Sequence, residues 1–386
     1  MAKYSDKRDY DDSDEYVDIS SGRPDAVNKR KKGSFAKSAA VTLLSIVFII
    51  AGAGMLYYYS ILNSVNVVAK STSGDSSLIS VDTEDSELGN TSASSEFSID
   101  SFNNGKLMND SNVLNILLIG EDNRHEAEYG RTDTMIVLTI DNNNKELKLT
   151  SFMRDLWVNI PDYGMQRINV AYTVGGAPKT VATIESNFGI DIDRYAIVDF
   201  ASFKKIIDVL GGLDIKLTDE EIDYINWQTW KNGQADTRYE IQAEPGIVHL
   251  NGRQALWHAR NRGQEGICSG SDFTRTQRQR NVLKTLMKEF KDASITQIIG
   301  IANEVGPLIT TDLSYSEITV LVANALTYLK YDVCEFRLPT DTNYGDVITS
   351  GGAWVLVVND WNQARNELVD FVFNAQKDKI SSDDSF

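Results

Sequence analysis

The sequence predicts an α/β fold: a layered α-β-α domain around a mixed central β-sheet, preceded by a single N-terminal transmembrane helix. Three observations carry this expectation. From Val113 onward, short and nearly continuous apolar runs alternate with amphipathic stretches, the pattern of buried strands separated by helices. Near the N-terminus, residues 38–62 form a charge-free run rich in Val, Ile, Leu, Phe and Tyr. Between the two lies a tract of Ser, Asp, Thr, Gly and Asn, too poor in large apolar side chains to build a core. With 386 residues, 42% hydrophobic and 24% charged, the chain has enough for one sizeable domain and appendages.

Residues 1–37 are polar, rich in tyrosine and acids, and are expected as a disordered cytoplasmic head. No charged residue occurs from Ser38 to Ala69, a run longer than the ~20 residues that cross a bilayer. Lys29, Arg30, Lys31, Lys32 and Lys37 precede it, whereas its far side opens with one lysine and then acids. The positive-inside rule then places the N-terminus in the cytoplasm and everything after the span outside the cell. A retained anchor suits the long charged head better than a cleaved signal peptide. Residues 63–112 are expected as a flexible spacer above the membrane, 113–376 as the globular domain and 377–386 as a tail.

Within the domain, 113–119 reads as a buried strand. Residues 134–140 and 146–152 read as two more, joined by a turn at Asn142-Asn143-Asn144. A helix is expected at 181–188, a strand at 195–200, and a helix at 203–210 stopped by Gly211-Gly212. A strand follows at 213–217. The polar, Trp-containing stretch 218–244 reads as an excursion or flap. Helices dominate from there to 327, before a strand near 333–338 and a closing helix at 361–374.

Composition excludes several function classes. A net charge of −17 argues against nucleic-acid binding, whose footprint is basic. Cys268 and Cys334 are too few for a disulfide scaffold or a metal knuckle. One bridge or two free thiols fit the sequence equally well. The 3 histidines form no HExxH, and no GxxxxGK[ST] phosphate loop occurs. Gly266-Ile267-Cys268-Ser269-Gly270 imitates a nucleophile elbow, but no strand leads into it. His258 reads as a structural histidine. Trp227, Trp230 and Trp257 read as packing or flap aromatics, with stacking on sugar rings as the alternative.

What remains is charge where a fold normally puts none. Asp272, Arg275 and Gln279 fall at i, i+3 and i+7 of the helical stretch 272–290, on the same stripe as Leu283, Leu286 and Phe290. That stripe faces the core. Arg260 and Arg262, just upstream, share one face of an extended segment. An unpaired inward charge is costly, so several such arginines beside an acid point to a bound phosphate or pyrophosphate, held with a metal. The strands deliver more of the same: Asp122 after the first, Gly130-Arg131-Thr132-Asp133-Thr134 opening the second, Arg154-Asp155 ending the third. Each acid taken singly reads as a turn residue and each arginine as surface charge. Taken together with the misfit helix they read as a site. Asp122 and Asp133 suit a divalent cation, since Mg²⁺ needs few carboxylates when it shares phosphate oxygens.

These residues, in this order, resemble the LytR-CpsA-Psr family of cell-wall glycopolymer transferases. The matching stretches are Asn115–Gly120, Gly130–Thr134, Phe152–Asp155, Arg167–Tyr172, Val209–Leu213, Ala259–Arg262 and Asp272–Arg280. The resemblance implies an extracytoplasmic enzyme that moves an anionic glycopolymer, such as teichoic acid or capsule, from a polyprenyl-pyrophosphate carrier to a peptidoglycan hydroxyl. It implies that Arg131, Arg154, Arg260, Arg262, Arg275 and Gln279 contact the pyrophosphate, with Arg167 and Arg278 as secondary candidates. Asp122 and Asp133 would hold Mg²⁺ (or Mn²⁺), and Asp272 would support the site or act as base. Met153 departs from the family, which usually has proline before the Arg-Asp pair. The insertion 218–244 and the loop 263–270 bear on which acceptor is bound.

Overall fold

The computed structural model describes residues 66–68, 107–122, 129–231, 237–291 and 294–376. Strands β2 (Val113–Asp122), β3 (Arg131–Asp141) and β4 (Glu146–Phe152) form an antiparallel meander at the centre of a seven-stranded mixed sheet. The parallel strand β7 (Arg194–Asp199) pairs with β2, and β11 (Asp332–Leu338) runs parallel to β4. Two short strands complete the other edge: β10 (Thr310–Thr311) pairs with β7, and β1 (Asn66–Val67) runs parallel to β10. This is the mixed α/β architecture that the sequence predicts. The strand at Asn66–Val67, however, lies inside the stretch expected as a flexible spacer; there the chain is held to the sheet edge by backbone pairing.

Both faces of the central strands are apolar, so each must be covered. Leu117, Ile119, Met135 and Val137 point into one core, covered by α1 (Val170–Phe188) and α8 (Trp361–Phe373) through Ile184, Phe188, Leu368 and Val372. A second core joins α2 (Phe200–Val209), α3 (Asp219–Trp230), α4 (Gly252–Arg260) and α5 (Asp272–Glu289) with the hairpin β8 (Leu213–Leu217) and β9 (Gly246–Leu250). Helices α2 and α4 cross closely at Gly252, where a Cβ would lie 2.0 Å from the Lys204 carbonyl oxygen. Helices α6 (Ile295–Val305) and α7 (Tyr315–Tyr328) follow, and Arg194 of β7 pairs with Glu317 of α7.

Some expectations need correction. The stretch read as a flap, 218–244, begins with the regular helix α3. Its capping box of Thr218 and Glu221 was present in the sequence as Thr-x-x-Glu. The helix expected at 181–188 extends back to Val170 across a kink at Gly175-Gly176 and with Pro178 inside, residue types that normally interrupt a helix. Two hairpins escaped notice: β5 (Trp157–Ile160) with β6 (Gly164–Arg167), and β12 (Tyr344–Ile348) with β13 (Trp354–Val358). Strand β9 interrupts the region read as helical. The expected head, membrane span and tail (1–37, 38–62 and 377–386) lie outside the described residues. Among the described residues no helix is long and apolar enough to cross a membrane. Cys268 and Cys334 are both buried and free.

Candidate active site

The strand ends and the start of α5 meet at one point. Between β2 and β3 the register shifts, so that Gly120 faces Thr134 and Glu121 faces Thr132, leaving Asp133 as the extra residue of a bulge. A bulge turns its side chain away from the regular alternation, here toward Arg154. The opposed backbones come close: a Cβ on Gly130 would lie 2.5 Å from the Asp122 carbonyl oxygen. From the end of β4, Arg154 donates to Asp133 Oδ1 at 2.7 Å and to Asp155 Oδ2 at 3.1 Å, and its Nε lies 3.5 Å from Asp272 Oδ1. Arg167, at the end of β6, reaches Asp155 at 3.7 Å.

Helices α4 and α5 supply the opposite wall. Arg260, the last residue of α4, packs its guanidinium 4.4 Å from the Phe200 ring centre and reaches Asp122 at 3.8 Å. Arg262 follows and approaches Asp272 at 3.9 Å. The neck of the 263–270 loop closes where Gly263 and Gly270 cross; a Cβ on Gly263, which has φ +90°, would lie 2.7 Å from the Gly270 nitrogen. This crossing joins Arg262 to the start of α5. There Ser271 caps the helix by accepting from the Thr274 amide. Asp272 occupies the first turn, where the helix dipole favours an anion.

Arg275 is the centre of the arrangement. Its side chain is 1% exposed and donates to Asp272 Oδ2 at 3.0 Å, and its Nη1 lies 3.8 Å from Asp133. Nε and Nη1 nevertheless make no hydrogen bond, nor does Asp272 Oδ1 accept one, although Arg275 Nη2 is 2.9 Å from it. Buried donors are normally satisfied. Burial pushes the Arg275 guanidinium down to about 10, against the pull of Asp272 and Asp133, so it stays charged at neutral pH. Burial likewise raises the Asp272 carboxyl, outweighing Arg275 and Arg154. Burial would also raise Asp133, but Arg275 and Arg154 prevail and hold it below the usual range. Five arginines here face four carboxylates, so the cluster is cationic in a strongly acidic chain.

The structure thus brings together Asp122, Asp133, Arg154, Arg167, Arg260, Arg262, Asp272 and Arg275. Arg131 is exposed at the start of β3, opposite Asp122 in register. Gln279 is buried one turn beyond Arg275 but makes no side-chain hydrogen bond to the cluster. Arg278 turns elsewhere, donating to Glu221 at 2.7 Å and to the Asn261 carbonyl at 2.8 Å, and so clamps α3 to α5. Sequence reasoning noted Asp155 beside Arg154 at a strand end but gave it no role; it is buried and bridges Arg154 and Arg167. Beside the start of α5 opens a groove of about 670 Å³, walled by Asp219, Glu220, Ser269, Ser271 and Thr274.

A protein of Oceanobacillus iheyensis, the polyisoprenyl-teichoic acid–peptidoglycan teichoic acid transferase TagU, is 32% identical over 262 residues, covering 66% of this chain and 74% of its own. The regulatory protein MsrR of Staphylococcus aureus is 30% identical over 271 residues, 70% of this chain and 77% of its own. The solved LytR-CPS2A-psr family protein YwtF (TagT) with bound octaprenyl pyrophosphate lipid shares the fold, with a TM-score of 0.52 at 22% identity over 69% of this chain and 95% of that one. The LytR_cpsA_psr family model matches residues 73–368, and the chain belongs to that family.

Proposed function

We propose that this chain is a membrane-anchored, extracytoplasmic phosphotransferase. It moves an anionic glycopolymer from a polyprenyl-pyrophosphate carrier to a peptidoglycan sugar hydroxyl. The observation that carries this reading is Arg275: a buried, charged guanidinium with two donors unused, among other arginines, asks for phosphate oxygens. Kinship with proteins named as teichoic acid transferases supplies the substrate class. The charge-free run 38–62 behind a lysine-rich flank supports the anchor.

In this reading Arg275, Arg154, Arg260 and Arg262 bind the pyrophosphate and stabilise charge as it builds on the phosphoryl oxygens. The acceptor hydroxyl approaches from the groove beside the start of α5, where Asp219, Glu220, Ser269, Thr274 and Arg278 offer hydrogen-bond partners to a polyol. The hydroxyl oxygen bonds to the phosphorus that carries the glycan, the bond to polyprenyl phosphate breaks, and the hydroxyl proton passes to Asp272. Asp122 and Asp133 would hold Mg²⁺ or Mn²⁺. Among the described residues no three metal-ligating side chains gather, yet two carboxylates suffice where phosphates and water supply the other ligands. There the ion would supply positive charge to balance the phosphates.

The test uses the full chain in vesicles with a synthetic polyprenyl-pyrophosphate glycan, peptidoglycan acceptor, and Mg²⁺ added or removed by chelation. Acceptor-linked phosphoglycan and polyprenyl phosphate are expected by mass spectrometry, with a loss of about 10²–10³-fold for Arg275→Ala. Free phosphoglycan despite acceptor would make the chain a hydrolase. Donor binding without turnover would make it a regulator.

A further inference from the structure

The outward side of α4 carries, beyond Arg260 of the pyrophosphate cluster, two residues that the cluster does not use. Arg253, Trp257 and Arg260 stand at i, i+4 and i+7, which places them on one stripe of the helix. Burial agrees: Gln254, Ala255, Leu256, His258 and Ala259 are buried, whereas Arg253 is exposed and Trp257 and Arg260 are half-buried. The stripe begins in the candidate active site, where Arg260 reaches Asp122. At 1.5 Å per residue it ends about 10 Å away at Arg253, the reach of a short saccharide.

The far end is organised. The Arg253 guanidinium lies 4.4 Å from the Tyr239 ring centre and 6.0 Å from that of Trp257. Tyr239 and Trp257 meet edge to face at 6.1 Å, and Arg238 lies 5.7 Å from the Tyr239 ring. Gln254 Nε2 donates to the Tyr239 carbonyl at 3.0 Å, fastening that segment to the helix. Among the described residues Arg253 has no acidic partner, in a chain of net charge −17. Trp257 packs on one side against the second core and, being half-buried, offers its remaining surface to a sugar, while the guanidinium stacked on Tyr239 keeps its planar donors available for an oxyanion. A neutral polysaccharide would need only the rings, and a small inorganic anion only the arginine. The combination, ten ångströms or so beyond a pyrophosphate site, fits a chain of sugars that carries phosphodiesters.

We infer that the Arg253–Trp257–Tyr239 patch is a second subsite, which holds the phosphodiester-bearing glycan of the donor beyond its pyrophosphate. The subsite rests on the transferase reading and sets which donors are preferred: long anionic chains over short neutral ones.

The test compares two synthetic donors with the full chain in vesicles, one ending in a neutral disaccharide and one extended by several phosphodiester repeats. For Arg253→Gln and Trp257→Leu, the ratio of kcat/KM for the long donor over the short one is expected to fall about three- to five-fold. An unchanged ratio overturns the subsite. A second measurement is calorimetric binding of the lipid-free phosphodiester glycan, which is expected to weaken with added salt and in Arg253→Gln. If neither donor is turned over but this binding depends on Arg253, the subsite stands and the transferase reading falls. If donors are turned over and binding ignores Arg253, the subsite alone falls.

Discussion

At the scale of single residues, the site holds two ionisable groups out of water. Arg275 is charged, buried and short of partners, and Asp272 is raised by the same burial. A carboxylate that takes a proton must be ionised first, so Asp272 sets an acid limit on the proposed transfer. The rate is expected to fall on acidification through an apparent pKa above that of an ordinary aspartate, measured as kcat/KM against pH. Asp272→Asn should remove that limb and lower kcat about 10²–10⁴-fold. An acid limb that survives in Asp272→Asn would show that another group is the base. Asp133 has the opposite sign: its lowered pKa contributes stability above the unfolded value, lost as pH falls through the folded one.

At the scale of elements, α3, α4 and α5 are joined by a polar contact that also senses acid. Arg278 of α5 pairs with Glu221 of α3, and His258 of α4 is buried beside them with neither ring nitrogen hydrogen-bonded. Burial pushes His258 down from 6.5 to about 4, with Glu221 opposing and Arg278 adding to the shift. The unfolded chain therefore binds a proton that the folded chain refuses between those two values, and stability falls as pH drops through that window. His258→Leu is expected to flatten this loss, read as urea midpoints at several pH values from 7 to 4. An unaltered slope would place the acid sensitivity elsewhere. The capping box of α3 was readable from Thr218 and Glu221, whereas the pairing of Glu221 with a residue 57 positions away was not.

At the scale of the whole molecule, the sheet and the last helix are locked by a buried charge network. Lys148 donates to Asp141 at 2.6 Å and to the carbonyls of Val372 and Asn374, and it lies 3.3 Å from Glu146, with all three charged side chains sealed from solvent. Glu146 in turn accepts from the Gln376 amide at 2.8 Å. Removing one member leaves the others uncompensated. Lys148→Met is expected to cost about 3–5 kcal/mol, measured by urea unfolding, with no matching change in the site's geometry. A cost near zero would mean that the network is relaxed by water. At the opposite edge, Asn66–Val67 fastens the chain to β10 by backbone pairing.

The family, the three central strands and the strand ends that carry Asp122, Asp133 and Arg154 were legible in the residues alone. So was the charged stripe of α5. Those features are local, because periodicity and short motifs record which side of an element is buried. Packing of distant segments set what the charges meet. It turned Arg278 to Glu221 while Arg275 stayed in the cluster, left Arg131 exposed, and added Asp155 as the bridge between two arginines. It also set Tyr239 against Arg253. The physical reason is that a guanidinium's role depends on the carboxylate, ring or empty space at its tip, and that neighbour comes from a distant part of the chain.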